Sequence, residues 1–317
     1  VLALGDETRV HSINGSIEIL KHLTAKNEME WPSHENHVNC LDGMINLTTG
    51  EIESHSPDFW SRSQIPCHFN PDAYAAVDPW LKFLDQIWPG EAEKGKIDVL
   101  QEFFGYCLAP HCRYQKALFL YGPGANGKSV LLNVIEDLVG RENVSALSIH
   151  DLSERFNRSM LLRRLINISY ETNSRSPAAM ETLKAAVAGD LIKAEEKYSL
   201  AFKFKPYAKF IIAMNEPPVF GQSSSFNIMR RLLVMRFNRI FQEEEQDPEL
   251  SDKLREHKDG VFYWALMGYQ RLAARGRFLE PKEMIKVRKD FEAAVNPLMS
   301  FLQETLEVTG KERDLVP

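Results

Sequence analysis

Gly122-Pro123-Gly124-Ala125-Asn126-Gly127-Lys128-Ser129 fits the phosphate-binding spacing G-x-x-x-x-G-K-[ST] at every defined position. The flanks matter as much as the match. The apolar run Ala117–Tyr121 enters it with strand character, and Val130-Leu131-Leu132-Asn133-Val134-Ile135 leaves it with helical character. Glycines at such a turn let backbone N–H groups face inward, and a helix N-terminus adds its positive end, so phosphate oxygens are held. The residues expected to cradle a nucleotide are Gly122, Pro123, Gly124, Ala125, Asn126, Gly127, Lys128, Ser129 and Val130. Lys128 should reach the β- and γ-phosphates and Ser129 should hold the metal ion, with ATP and Mg²⁺ as the expected pair. The plain alternative is a Gly-rich turn with a stray lysine.

Around this loop, short β-rich runs alternate with helical ones, as they do where helices cover a parallel sheet. The strand candidates are Ala117–Tyr121, Val144–Ile149, Leu165–Tyr170, Lys209–Asn215 and Leu232–Phe237. The helix candidates between them are Lys128–Val139, Asp151–Leu162 and Ala178–Ala188. The expected class is α/β, a P-loop core with a mainly parallel five-stranded sheet. Upstream, Asp42-Gly43 and Thr49-Gly50 flank a short alternating run that predicts a small hairpin. Residues from Pro79 to about Cys107 have helical periodicity, broken at Pro89-Gly90. A helix around Ser16–Leu23 is the only reading that residues 1–35 support. Beyond the acidic stretch Glu243-Glu244-Glu245-Gln246-Asp247-Pro248, helices are expected at Leu250–Glu256, Gly260–Ala273 and Lys282–Ala294. The expected domains are 1–113, mainly helical after the hairpin, a core at 114–243, and a helical region at 244–317.

A P-loop needs an acid on a neighbouring strand to complete the Mg²⁺ shell and polarise water. Glu171 ends the run Leu165–Tyr170, at the sheet edge where ligands bind in open α/β folds. Asn215 ends the next apolar run and could hydrogen-bond the attacking water or the γ-phosphate; opening an Asx turn before Pro217-Pro218 is its bland alternative. Arg230-Arg231 precede the last strand, where an arginine could neutralise transition-state charge across a subunit boundary, or simply sit solvated on a helix end. Between Gly189-Asp190 and Asn215, Lys193, Lys197, Lys203, Lys205 and Lys209 fall within seventeen residues, among Tyr198, Phe202, Phe204 and Tyr207. Lysines bind backbone phosphate and aromatics stack on bases. The candidate DNA contacts are Lys197 first, then Lys193 and Tyr198, with Lys203 and Lys205 assigned to packing and strand edges.

The ordered set of P-loop, Glu171, Asn215 and Arg230-Arg231 resembles the superfamily 3 helicases, and within them the primase-helicases of phages, plasmids and poxviruses. Leu41–Gly50, Pro66–Pro71, Gly105–Leu108, Asp151–Phe156, Gly189-Asp190 and Phe204–Pro206 share that family's cadence, so the likeness covers roughly 38–270. The resemblance implies an AAA+-like core assembled into a hexameric ring that hydrolyses ATP at subunit interfaces while moving on single-stranded DNA at replication forks, 3′ to 5′. It also implies that the lysine-rich segment is a hairpin projecting into the central channel. One departure stands out: family members often carry a second acid after the first, and here Glu171 is followed by Thr172-Asn173.

Bulk properties narrow the possibilities. In 317 residues, 44% are hydrophobic and 26% charged, as in a globular protein, and no run approaches the ~20 apolar residues of a membrane span. The net charge of −6 argues against a protein coating the outside of DNA but permits a local basic patch in a channel. Cys40, Cys67, Cys107 and Cys112 are too few for a disulfide framework; His111 beside Cys112 invites a metal, but no second ligand pair follows, which favours reduced structural thiols in a cytoplasmic protein. The chain opens on Val1 with no signal-peptide pattern, so a cut from a longer protein with a primase or polymerase domain upstream is expected. Two further readings share parts of this pattern: an ATP-gated DNA-binding ring of loader or initiator type, and a small-molecule P-loop kinase.

Overall fold

The meander at the start of the described chain comes from closely spaced turn residues. Strands β1 (His37–Asn39), β2 (Met44–Asn46) and β3 (Ile52–Glu53) pair antiparallel in that order, with Asp42-Gly43 and Thr49-Gly50 in the two connections. A third strand thus extends the expected hairpin. Helix α1 (Asp78–Ile87) buries Trp80, Phe83, Leu84 and Ile87, the i, i+3, i+4, i+7 set of an amphipathic helix. Pro89-Gly90 ends it and α2 (Lys94–Leu108) follows.

This computed structural model describes residues 35–170, 177–197, 201–216 and 228–295, with 13, 15–17, 19 and 20. It separates into two units, residues 1–34 with 56–60, and residues 35–55 with 61–317. In the first, the backbone is helical at 13, 15–17, 19 and 20, and a 3-10 turn at Pro57–Phe59 is capped by the Ser56 hydroxyl, which accepts the Asp58 N–H. In the second, α2 leads to β4 (Ala117–Tyr121), α3 (Lys128–Val139), β5 (Val144–Ser145), α4 (Arg155–Arg158), β6 (Ile166–Tyr170) and α5 (Pro177–Ala188). Then come β7 (Ile192–Ala194), β8 (Phe202–Phe204), β9 (Lys209–Met214), β10 (Leu232–Arg236), α6 (Leu250–Arg255), α7 (Lys258–Arg275) and α8 (Lys282–Val295). No helix among the described residues is long and apolar enough to cross a membrane.

The central sheet has the order β10-β4-β9-β6-β5 and is parallel at every pairing. Strands buried on both faces read as continuous apolar runs, and the period of two then sorts their residues between two cores. Leu118, Leu120, Ile166, Ile168, Ile211, Ala213, Leu233 and Met235 join the core built with α1, α2, α3 and α7. Their neighbours Ala117, Phe119, Tyr121, Phe210, Ile212, Met214, Leu232 and Val234 join the core built with α5 and α8. Phe291 of α8 closes this second layer, its ring 5.9 Å from Phe119 and 5.6 Å from Tyr121. The architecture is α/β, a helix-covered parallel sheet of the P-loop NTPase type.

Helices α2 and α7 touch backbone to backbone. A Cβ on Gly105 would lie 2.3 Å from the Ala265 carbonyl oxygen, and one on Gly268 would lie 2.3 Å from that of Gln101. Beside this crossing the Glu102 carboxylate, 2% exposed, receives Arg271 Nε at 2.8 Å and an Arg275 Nη2 hydrogen bond. Burial of a carboxylate is tolerable because two guanidiniums satisfy it.

Two expectations need correction. The strand expected at Val144–Ile149 pairs only at Val144–Ser145. The buried Asn167 side chain then takes over, accepting the Leu147 N–H and the Ser145 hydroxyl and donating to the Leu147 carbonyl, each at 2.9 Å. The helix expected at Asp151–Leu162 is instead a chain of short turns, with α-helix only at Arg155–Arg158. There the Arg158 guanidinium donates to the Leu152 and Ser153 carbonyls at 2.7 and 2.9 Å, acceptors that a continuous helix would give to backbone N–H groups.

Candidate functional site

The P-loop leaves the C-terminal edge of β4, between β9 and β10. Gly122 N–H donates to the Met214 carbonyl at 3.2 Å, and Phe237 N–H to that of Tyr121 at 2.8 Å, fixing where the loop starts. Gly122 has φ 151°, and a Cβ there would sit 2.2 Å from the Phe237 carbonyl oxygen. At the loop's end Gly127, with φ 88°, lies against Phe83 and Ile87 of α1. Helix α3 begins at Lys128, so its unpaired N–H groups open onto the loop. Pro123, Gly124, Ala125 and Ser129 are exposed, while Asn126 and Lys128 are buried.

The Lys128 ammonium is held by the loop itself. Its Nζ donates to the Gly122 carbonyl at 2.6 Å, the Pro123 carbonyl at 3.0 Å and Asn126 Oδ1 at 3.1 Å. Burial lowers its pKa from the ordinary lysine value. These are neutral acceptors, so an anion brought to the loop competes well for the charge. Gly-restricted turns, a helix N-terminus, a buried lysine and the exposed Ser129 hydroxyl together fit a triphosphate. A Mg²⁺ ion would be held by Ser129 and Glu171; Glu171 lies outside the described residues, as does Tyr198.

A cavity of about 650 Å³ lies over this loop. It is lined by Gly124 through Val130, by Tyr170 at the end of β6 and Asn215 just past β9, by Phe83 and Gln86 of α1, and by residues from Phe241 to Leu250. The structure thus brings the P-loop and Asn215 onto one surface at the C-terminal edge of the sheet. The last of these walls was invisible in the sequence, where the acidic stretch marked only a boundary. Its placement depends on the Phe241 N–H, which donates to the Ala125 carbonyl at 2.7 Å.

Arg230 and Arg231 are elsewhere. They precede Leu232, which pairs with Ala117 at the opposite edge of the sheet, about 16 Å along a five-residue strand from the P-loop. Arg231 is half-buried, its Nη1 donating to the Lys184 carbonyl at 2.5 Å, and burial lowers its pKa. Arg230 is exposed.

The lysine-rich segment forms an antiparallel hairpin from β7 and β8. Ile192 and Phe204 face inward, while Lys193 sits directly across from Lys203, both exposed. Lys197 is exposed just beyond β7, and Lys205 just beyond β8. Lys209 must be removed from this patch: it is 1% exposed, and its Nζ donates to the Ala109 carbonyl and, at 2.9 Å, to that of Tyr207. Desolvation lowers its pKa to about 8. Lys203, assigned with Lys205 to packing and strand edges, lies in β8 with its side chain exposed. Helix α4 leans on the hairpin, with Glu195 N–H donating to the Arg155 carbonyl at 3.1 Å and Arg158 Nη1 to that of Lys193 at 3.3 Å. This places exposed Arg155 and Phe156 beside the lysines, a proximity that nothing local in the sequence signals.

The cysteines are buried and free. His111 Nε2 pairs with the Tyr269 hydroxyl at 2.8 Å, and desolvation with the nearby Lys209 charge takes its pKa down to about 3. No metal-binding group of three or more His, Cys, Asp or Glu occurs among the described residues.

Comparison with known proteins agrees with this fold. Residues 120–231 match a family described as "Family of unknown function (DUF5906)", and residues 5–89 match one described as "D5 N terminal like". The second match takes in most of residues 1–35, which the resemblance drawn from sequence motifs had left out. A curated relative, the "Uncharacterized mitochondrial protein ymf21" of Marchantia polymorpha, is 26% identical over 140 residues, 40% of this chain and 76% of that protein. The apo structure of the NrS-1 C terminal region (305-718) shares the fold, with a TM-score of 0.53 and 14% identity over 96% of this chain and 74% of that one. Its A form gives a TM-score of 0.54 at 14% identity over 92% and 68%. The two family matches follow one another along the chain, the D5 N terminal like one first, and the solved structures share its α/β fold.

Proposed function

We propose that this chain is the ATP-driven motor of a superfamily 3 type replication protein, an AAA+-like ring, hexameric in its full assembly, that moves on single-stranded DNA at cytoplasmic replication forks and unwinds duplex. The observation that carries this reading is the cavity on which Lys128, Ser129 and Asn215 meet, while Arg230 stands exposed at the far edge of the same sheet. Lys128 would leave its loop carbonyls for the β- and γ-phosphates, and Asn215 would orient the attacking water. Mg²⁺, held by Ser129 and Glu171, would supply charge neutralisation at the phosphates. Arg230 is too far away to serve its own chain's nucleotide, which suits action on a neighbour's in a head-to-tail ring. The opposed Lys193 and Lys203, with Lys197, Arg155 and Phe156 beside them, suit a strand of phosphates and stacked bases.

The test is ATP hydrolysis with and without single-stranded DNA, in wild type, Lys128→Ala and Lys197→Ala. DNA should stimulate wild type, Lys128→Ala should abolish turnover, and Lys197→Ala should lose the stimulation alone. Turnover indifferent to DNA, with Lys197→Ala matching wild type, would sink the motor reading.

A further inference from the structure

Arg230 and Arg231 are joined by a peptide unit whose two ends are both taken. Its carbonyl accepts Lys116 Nζ at 2.9 Å, and its N–H donates to the Ile228 carbonyl at 2.8 Å. A peptide is planar, so two such bonds fix its orientation and with it the direction in which the Arg230 side chain leaves the backbone. The next groups are fixed as well. The Arg231 carbonyl accepts the Ala117 N–H at 2.9 Å, and the Arg231 guanidinium is committed to the Lys184 carbonyl in α5. Arg231 is thus an anchor, and Arg230 is the arginine whose side chain is exposed.

Lys116 can hold that carbonyl because it is itself held. Its Nζ lies 3.2 Å from Glu280 Oε1, and Glu280 Oε2 accepts Arg288 Nε at 3.1 Å. The Lys116, Glu280 and Arg288 side chains are 17, 12 and 23% exposed, so water screens them less than it does an ordinary surface pair. Arg288 is placed by α8, where Met284 at i−4 and Phe291 at i+3 share its side of the helix and are buried. Lys116 immediately precedes β4, whose other end delivers the P-loop. Strand β4 is therefore a stiff spacer between the nucleotide cavity at one edge of the sheet and this ion triad at the other.

Resting on the reading that Arg230 serves a neighbouring subunit's nucleotide, we propose that Lys116, Glu280 and Arg288 form its mount. Glu280 is the positioning residue: it keeps Lys116 on the Arg230 carbonyl, so the exposed guanidinium is presented in one direction. An amide in place of the carboxylate leaves Lys116 and Arg288 as like charges with no anion between them. The ammonium then swings off its carbonyl on a flexible stem. Displacing a charge that must meet the transition state lowers the rate about tenfold or more.

ATP turnover is measured for Glu280→Gln alone, and in equal mixtures with Lys128→Ala and with Arg230→Ala. Alone, its kcat should fall about tenfold with the KM for ATP unchanged. Lys128→Ala brings a well-mounted arginine, so that mixture should rise to about a quarter of wild type; the mixture with Arg230→Ala should stay at about a twentieth. Lys116→Gln should behave in the same way. Equal recovery in the two mixtures would overturn the mount, and so would recovery in neither, which marks a general loss of structure. No recovery when Lys128→Ala and Arg230→Ala are mixed with each other would overturn the cross-subunit reading, and this inference with it.

Discussion

His111 shows what burial does to a residue whose neighbours in sequence leave its role open. Beside Cys112, with no second ligand pair following, it is 5% exposed and hydrogen-bonded to Tyr269, and desolvation takes its pKa down to about 3. The unfolded chain binds a proton at His111 below about pH 6.5 while the folded chain does not until about pH 3. Stability from this group is therefore fully present above pH 6.5 and lost as pH falls through that window. Denaturant unfolding should show wild type losing about 2 kcal/mol from His111 between pH 6.5 and 5. His111→Phe should flatten that dependence, and an unchanged pH slope would remove His111 from the account. Lys209 teaches the same lesson. Its position among lysines suggested DNA, whereas its contacts with Ala109 and Tyr207, from segments a hundred and two residues away, fix it in the interior.

At the scale of elements, the β7–β8 hairpin carries an evident cost. Like charges directly opposite on an antiparallel pair destabilise it, and Lys193 faces Lys203. Phosphate between them would relieve the repulsion. Lys203→Glu should make the pair attractive and the fold more stable by about 0.5 kcal/mol, while weakening single-stranded DNA binding and reducing its salt dependence. Thermal unfolding and a salt titration of DNA affinity check the two halves separately. A variant that gains stability and keeps its DNA affinity would take Lys203 out of the strand's path. The five sheet strands and most helices were legible from periodicity because their apolar patterns are local. The shortened β5 was not, since Asn167 displaces its ladder from 20 residues away in sequence.

For the whole molecule, the separation of Arg230 from the P-loop gives a mixing experiment. Lys128→Ala and Arg230→Ala should each be inactive in ATP turnover. Mixed in equal amounts, a head-to-tail ring places an intact P-loop against an intact arginine at about a quarter of its interfaces. Turnover should recover to about that fraction of wild type, whereas Arg230 acting within its own chain gives no recovery.

The amino-acid order settled whatever depends on near neighbours: the parallel α/β core, the P-loop at Gly122–Ser129, the turns of the meander, and the strand ends that deliver Tyr170 and Asn215. These follow from side-chain periodicity and glycine geometry over a few residues. Long-range contact settled the rest. Residues 241–250 became a cavity wall through one hydrogen bond to Ala125, α1 and α7 joined the core around Trp80 and Trp264, and Arg155 and Phe156 reached the hairpin through Glu195. Burial and charge pairing at such places depend on which distant segments meet, and a local pattern carries no record of that.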